Sequence, residues 1–241
     1  MSRRTVDSHA RFVRPILAPG VRVVDVGCGP GSITIGIALS VRPGAVLGID
    51  QEPSQVEEAA RIANALGVQN CAFAVGPASQ LPVPDESVDL VFSHALYEHL
   101  ADPPGALAEA RRVLRPGGHV ALRSPDWGGF IIFPETDQVA EAVAFYRDLQ
   151  TRNGGDVHAG RKLGAWIRET GFVNVIVSGS YEVYPDSTLI GEYLAARLDL
   201  DPGGSVHAAT LRAWARNADA VFMQAWIEAV GEKPAAPTEA R

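Results

Sequence analysis

Only two cysteines, Cys28 and Cys71, occur in 241 residues, too few for a disulfide framework. Each adjoins a predicted strand, where a small apolar side chain serves for packing, so both are read as reduced. Long hydrophobic runs are missing as well. No stretch approaches the roughly 18 apolar residues that cross a bilayer. Arg3 and Arg4 are followed by Asp7, Ser8 and His9 rather than by an apolar segment, so no secretory leader is expected and the cytoplasm is the expected compartment. Positive charge is in deficit: 21 Lys and Arg against 28 Asp and Glu give a net charge of −7. Such a field repels phosphate backbones, and no basic stripe interleaved with aromatics offsets it, so nucleic acid is not an expected partner. The basic cluster Arg3, Arg4, Arg11 and Arg14 reads as the solvated face of an N-terminal helix within 1–20.

What is present is a chain 46% hydrophobic, enough for one buried core and too short for two comfortable domains, so 1–241 is read as a single domain. Glycine and proline punctuate it, and between them β-branched runs alternate with stretches of helical period. Strands are expected over 21–26, 45–49, 71–75, 88–92 and 118–123, with helices over 32–40, 53–66 and about 104–114. That alternation implies an α/β fold with a parallel sheet covered on both faces. The second half is less regular. An aromatic, glycine-containing loop is expected over 127–133, then a helix over 136–151 lying across the sheet edge as a lid. A helix over 160–170 leads into a long strand over 172–184, and two helices over 187–198 and 206–215 follow. Residues 221–230 read as the antiparallel mate of that strand, and the tail from Glu232 as frayed.

The strongest chemical signal is Val23-Val24-Asp25-Val26-Gly27-Cys28-Gly29-Pro30-Gly31-Ser32, a strand that ends in a glycine loop and opens a helix. Glycines let the backbone approach a ligand closely and present amides at the positive end of the helix. The third glycine is one place too early for the dinucleotide fingerprint, where serine stands instead, so a pyrophosphate cradle and an NAD-type oxidoreductase are disfavoured. Asp50 closes the next strand, where a carboxylate can accept both hydroxyls of a ribose.

With VLGIDQEP at 46–53, LPVPDESVDLVFSHALYEHLADP at 81–103 and RVLRPGGHVAL at 112–122, the chain resembles a class I S-adenosylmethionine-dependent methyltransferase. The likeness covers roughly 20–125 and is to the small-molecule group that includes ubiquinone and menaquinone biosynthesis enzymes. It implies a Rossmann-like, doubly wound, mostly parallel seven-stranded sheet with one antiparallel strand and a helical lid. It divides the domain into a cofactor-binding half (21–125), a lid and acceptor region (126–160) and a C-terminal half (161–231). Carried over, Gly27, Gly29 and Gly31 border the methionine part of S-adenosylmethionine, with Asp25 fixing the loop, Asp50 at the ribose and Gln51 beside the adenine. Where the family commonly has Gly-Asp-Ala after the third strand, this sequence has Gly76-Pro77-Ala78-Ser79. The adenine-binding aspartate is absent, leaving the Ala78 amide and Ser79 or Gln80 to take its place. Ser93 and His94, after the fourth strand, complete the expected cofactor set.

An oxygen or carbon acceptor needs a proton removed, for which histidine suits neutral pH. His94 is the first candidate base, against a reading in which it only hydrogen-bonds. His158 and Tyr97 are further candidates, each with a packing or solvated alternative, and His99 reads as an orienting group. Asp126, Trp127, Phe130, Tyr146 and Arg161 are the expected acceptor-binding residues, Arg161 alternatively pairing with Asp156. No metal is expected, since His94, Glu98 and His99 lack a metal-ligand spacing. The expected activity is methyl transfer to a small, largely apolar metabolite by a monomer or homodimer, the acceptor atom undetermined. The rival from another class is a cofactor-binding protein that does not methylate, serving as a cyclisation catalyst or interaction module.

Overall fold

The computed structural model describes residues 4–235. Short apolar runs form the parallel strands β1 (Val23–Val26), β2 (Val46–Asp50), β3 (Cys71–Val75) and β4 (Val88–His94). Helices α2 (Ser32–Ser40), α3 (Pro53–Ala65) and α4 (Pro103–Val113) connect them or follow them. Each helix start has a local cause. Pro53 and Pro103 fill first-turn positions where no amide donor is needed, and the Asp102 carboxylate accepts from the Gly105 amide at 3.0 Å.

The remaining elements are β5 (Leu114–Phe133), α5 (Asp137–Arg152), α6 (Ala159–Glu169), β6 (Val173–Tyr184), α7 (Ser187–Leu198), α8 (Ser205–Ala215) and β7 (Val221–Glu232). One seven-stranded sheet results, ordered β3-β2-β1-β4-β5-β7-β6, with β7 antiparallel to both of its neighbours. The expected mixed sheet is present, and strand order reverses between β1 and β4. Ligands of open α/β sheets bind at the C-terminal strand ends beside such a reversal. Leu107 and Ala110 of α4 pack with Leu163 and Ile167 of α6 in one core cluster. Ile35 and Ile37 of α2 pack with Ala63 of α3 in another.

Four expectations change. The N-terminal helix is a single turn, α1 (Val6–His9), followed by a 3-10 turn at Arg11–Val13. Thr5 starts it through a capping box, and Ala10 stops it by leaving helical geometry at φ −127°. Residues 127–133 are not a free loop: β5 runs on, and Ile131, Ile132 and Phe133 pair with Met223, Phe222 and Val221 after a break at Trp127–Phe130. The two glycines of that break hide the strand period from the sequence. Helices α5, α7 and α8 share a core with Ile132 and Phe222, so the cap is three helices rather than one. Finally, Glu232 belongs to β7, and Lys233 is buried, donating to the Leu114 carbonyl at 2.6 Å and to Glu86 at 3.0 Å. The rest of the expected tail, 236–241, lies outside the described residues. No described helix is long and apolar enough to cross a membrane.

Candidate active site

Two cavities open at the C-terminal edge of the sheet. The first, about 340 Å³, is walled by Gly27, Asp50, Gln51, Ala78, Ser79 and Leu96, among others. Sequence reasoning placed five of these six side by side. Gly27, Gly29 and Gly31 take φ of +74°, +52° and +77°, conformations that L-residues rarely adopt, so the loop needs glycine here. A Cβ at Gly31 would lie 2.8 Å from the Ala59 methyl and 3.0 Å from the Phe73 ring. Gly31→Ala is therefore expected to lower stability by at least the ~1–2 kcal/mol of a left-handed alanine. Urea denaturation checks this, and an unchanged midpoint would show that the loop relaxes.

Asp50 accepts the Gly29 amide at 2.8 Å on one oxygen and the Glu52 amide at 3.0 Å on the other. A carboxylate offers about four lone-pair sites, so one per oxygen remains for a diol. Gln80 is not in the wall, whereas Ser79 is. Asp25 and Ser93 lie behind it. Ser93 donates its hydroxyl to the Val26 carbonyl at 2.8 Å, tying β4 to β1.

Buried Asp25 accepts from Thr34 at 2.6 Å, and desolvation is the main cause that pushes its pKa up to about 7. Between an ordinary carboxylate pKa and about 7, the native state keeps a proton that the unfolded chain has released, so stability falls as pH rises through that window. Asp25→Asn removes this slope. The expected melting temperature of the variant, minus that of the parent, grows from pH 5 to pH 8. A constant difference would mean that Asp25 is already ionised in the native protein.

The second cavity, about 290 Å³, lies under the three-helix cap and is lined by Trp127, Tyr146, Tyr184, Phe222 and Trp226 with the polar Arg4, Glu98 and Gln224. His99 lines both cavities. It is carried by a 3-10 turn, Tyr97–His99, which follows the left-handed Ala95 (φ +57°) at the end of β4. Its Nε2 lies 3.9 Å from Glu98 Oε1. Burial, and secondarily the charge of Arg197, hold the imidazole pKa below its usual value. Glu98 is 8% exposed, and its other oxygen accepts from the Ser124 hydroxyl at 2.8 Å. Desolvation raises its pKa to about 7, the range suited to a general base.

The other expected site residues are arranged differently. β4 continues two residues past its expected end, so His94 pairs in register with Arg123 inside the sheet. His94 Nε2 contacts the Arg123 guanidinium at 2.7 Å, and its ring stacks on Trp226 with centroids 4.9 Å apart. Burial holds its pKa well below the usual value, and it lines neither cavity. Tyr97 is 3% exposed and belongs to the core, its hydroxyl pKa pushed up by burial. His158 sits beside the second cavity, 3.3 Å from Arg147 and 3.7 Å from Asp126. Asp126 is committed to Arg161: the guanidinium donates at 2.7 Å to each oxygen, and the Arg161 and Gly128 amides add one bond each. The anticipated partner, Asp156, instead holds Lys162 at 2.6 Å. Trp127 and Tyr146 do line the cavity, whereas Phe130 packs behind Trp127 at 5.9 Å.

Sequence reasoning missed Glu98 and Arg4, and with them the Tyr184, Phe222, Gln224 and Trp226 side of the wall. Glu98 carried a signal as the only acid between two histidines after β4, and Arg4 looked like one member of a solvated cluster. In that cluster Arg14 pairs with Asp7, and Arg3 lies outside the described residues. Among the described residues no group of three His, Cys, Asp or Glu is placed to hold a metal.

A parallel sheet with a β1 glycine loop, an acid ending β2 and a roofed second cavity across the reversal point defines a class I methyltransferase architecture. The chain belongs to the methyltransferase domain family, whose profile matches residues 17–170. It is 34% identical over 196 residues to a methyltransferase of Schizosaccharomyces pombe, covering 76% of this chain and 68% of that protein. It is 37% identical over 172 residues to the aklanonic acid methyltransferase of a Streptomyces species, covering 69% and 74%. A 2-methyl-6-phytyl-1,4-hydroquinone methyltransferase of Arabidopsis thaliana is 32% identical over 149 residues, covering 57% and 43%. The YcgJ protein of Bacillus subtilis superposes with a TM-score of 0.65 at 20% identity, over 94% of this chain and 98% of that one. Solved structures of this fold hold S-adenosylmethionine or S-adenosylhomocysteine, and S-adenosylmethionine is the cofactor of this family. The first cavity fits that group: a left-handed glycine loop with no room for a Cβ at Gly31 and little at Gly27, a carboxylate with free lone pairs, and a wall of Ala78 and Ser79. The quinone-biosynthesis subgroup is not singled out by these relatives.

Proposed function

We propose that this protein methylates an acidic hydroxyl on a small, ring-bearing metabolite, with Glu98 as the base and His99 as the group that orients the hydroxyl. The observation that carries this reading is the position of His99 on the wall common to both cavities, with Glu98 beside it. Bound S-adenosylmethionine supplies a methyl group made electrophilic by its positive sulfonium. Asp50 would hold the ribose hydroxyls, Gln51, Ala78 and Ser79 the adenine, and the Gly27 loop the methionine end.

The chain's own residues do the rest. Trp127, Tyr146, Phe222 and Trp226 give a planar acceptor apolar walls beneath the helical cap. The Glu98 carboxylate takes the hydroxyl proton, and the Ser124 hydroxyl holds that carboxylate in place. Neutral His99 can accept a hydrogen bond from the same hydroxyl or pass the proton to Glu98. Relatives named for a hydroquinone and for aklanonic acid support a ring-bearing acceptor.

The test is incubation with S-adenosylmethionine and a panel of phenols and hydroxynaphthalenes, read by mass spectrometry. An O-methylated product is expected from at least one ring class. No O-methylated product across the panel would overturn the assignment.

A further inference from the structure

Gln224 is a polar side chain set into an aromatic wall. It belongs to β7, opposite Glu182 of β6 and beside the break that interrupts β5 between Asp126 and Ile131. Only 3% of its surface is exposed, and it lines the second cavity but not the first. Its nitrogen is fully committed: Nε2 donates to the Asp126 carbonyl and to the Ala225 carbonyl, each at 3.1 Å. Both partners can only accept, so turning the amide over would set its oxygen against two carbonyl oxygens. The orientation of the amide is therefore fixed by chemistry.

Oε1 is the end left over. Among the described residues no group donates to it, and it is not fully enclosed by protein. Because Gln224 is otherwise buried, the surface this oxygen keeps is in the cavity. Trp226, two residues further along β7 and on the same face, also has an unpaired group, but its indole N–H is sealed in protein and is not offered to a ligand. What this stretch of wall presents is an acceptor without a donor.

Such an oxygen selects by what it refuses. A hydroxyl placed against it makes a hydrogen bond, an ether or ketone oxygen meets it lone pair to lone pair, and a C–H group leaves it desolvated without a partner. His99 lines both cavities and marks the place where they meet, whereas Gln224 is confined to the second. A hydroxyl held by Gln224 is thus a different one from the hydroxyl beside Glu98 and His99.

We propose that Gln224 is a specificity-determining residue of the acceptor cavity, and that the acceptor is an aromatic compound with two separate hydroxyl groups, one presented to Glu98 and His99 and the other donating to Gln224 Oε1. This rests on the reading of the second cavity as the acceptor site and narrows the substrate class from a phenol to a diphenol. The ring between the two hydroxyls lies against Trp127 and Trp226.

The test is calorimetry, at saturating S-adenosylhomocysteine, with 1,5-, 2,6- and 2,7-dihydroxynaphthalene, the monomethyl ether of each, and the naphthols that lack the second oxygen. At least one diol is expected to bind about tenfold or more tightly than both its ether and its naphthol, beyond the statistical advantage of two equivalent hydroxyls. The naphthol arm separates a lost donor from a crowded methyl group. Gln224→Met is expected to reduce the preference to about threefold or less. Because that substitution also gives up the two bonds to carbonyls, S-adenosylhomocysteine affinity of the variant, expected to be unchanged, reports that its fold is intact; the comparison of probes on the parent protein stands without it. Diol, ether and naphthol binding alike in every set overturns the proposal, as does a diol preference that survives in Gln224→Met, or no binding of any probe at millimolar concentration. A diol preference that depends on Gln224, in a protein that methylates no phenol, strikes the transfer to a hydroxyl and leaves the Gln224 subsite standing.

Discussion

Glu98→Gln is expected to lower kcat by about 10²–10⁴-fold, the usual contribution of a positioned general base, with S-adenosylhomocysteine affinity unchanged. The substitution preserves shape, and a glutamine oxygen can still accept from Ser124, so the fold is not at stake. What disappears is the proton acceptor. In the parent enzyme kcat should rise with pH through about 7, because burial raises the Glu98 pKa to about 7 and the base works only when ionised. That rise should be absent from the residual activity of the variant. Ser124→Ala gives a second reading of the same group: the serine hydrogen bond favours the ionised form, so its loss moves the pH profile upward. An unaltered rate in Glu98→Gln would remove the carboxylate from the chemistry and leave His99, or positioning alone, to account for it.

The cofactor half was legible because its signals are local. A β-branched strand, a glycine loop and a strand-terminal acid fix Gly27 and Asp50 within a few residues each, and the parallel register Asp25↔Gly48 and Val26↔Ile49 brings the two together. The acceptor half is assembled from distant segments. Arg4, Glu98, Tyr184 and Trp226 meet only because β7 inserts between β5 and β6 and because α1 docks on α2. No periodicity within any one segment reports such a meeting.

His94 shows how one strand boundary redirects a functional reading. Ending β4 at Phe92 leaves His94 free beyond the sheet edge. Continuing it to His94 commits the side chain to Arg123 and Trp226, and hands the edge position to the turn that carries Glu98 and His99. Asp126 is drawn away from substrate for a related reason: the first turn of α6 brings Arg161 onto it with a bidentate grip that leaves the carboxylate little capacity for a ligand.

Asp50→Ala is expected to weaken S-adenosylhomocysteine binding about a hundredfold or more. Two carboxylate-to-hydroxyl bonds are lost, and bonds to charged groups contribute about 1.5–3 kcal/mol each. A second cost adds to this. Asp50 also fixes the Gly29 amide, so its removal frees the glycine loop to sample conformations that no longer match the ligand. Asp50→Asn separates the two effects, since its carbonyl oxygen can still take one amide while the charge is gone, and its loss in affinity should be the smaller. Calorimetry with the thioether product is the cleaner probe, because its neutral sulfur removes any long-range attraction between the Asp50 charge and a sulfonium. Affinity within threefold of the parent in Asp50→Ala would place the ribose elsewhere and return the first cavity to an unassigned cleft.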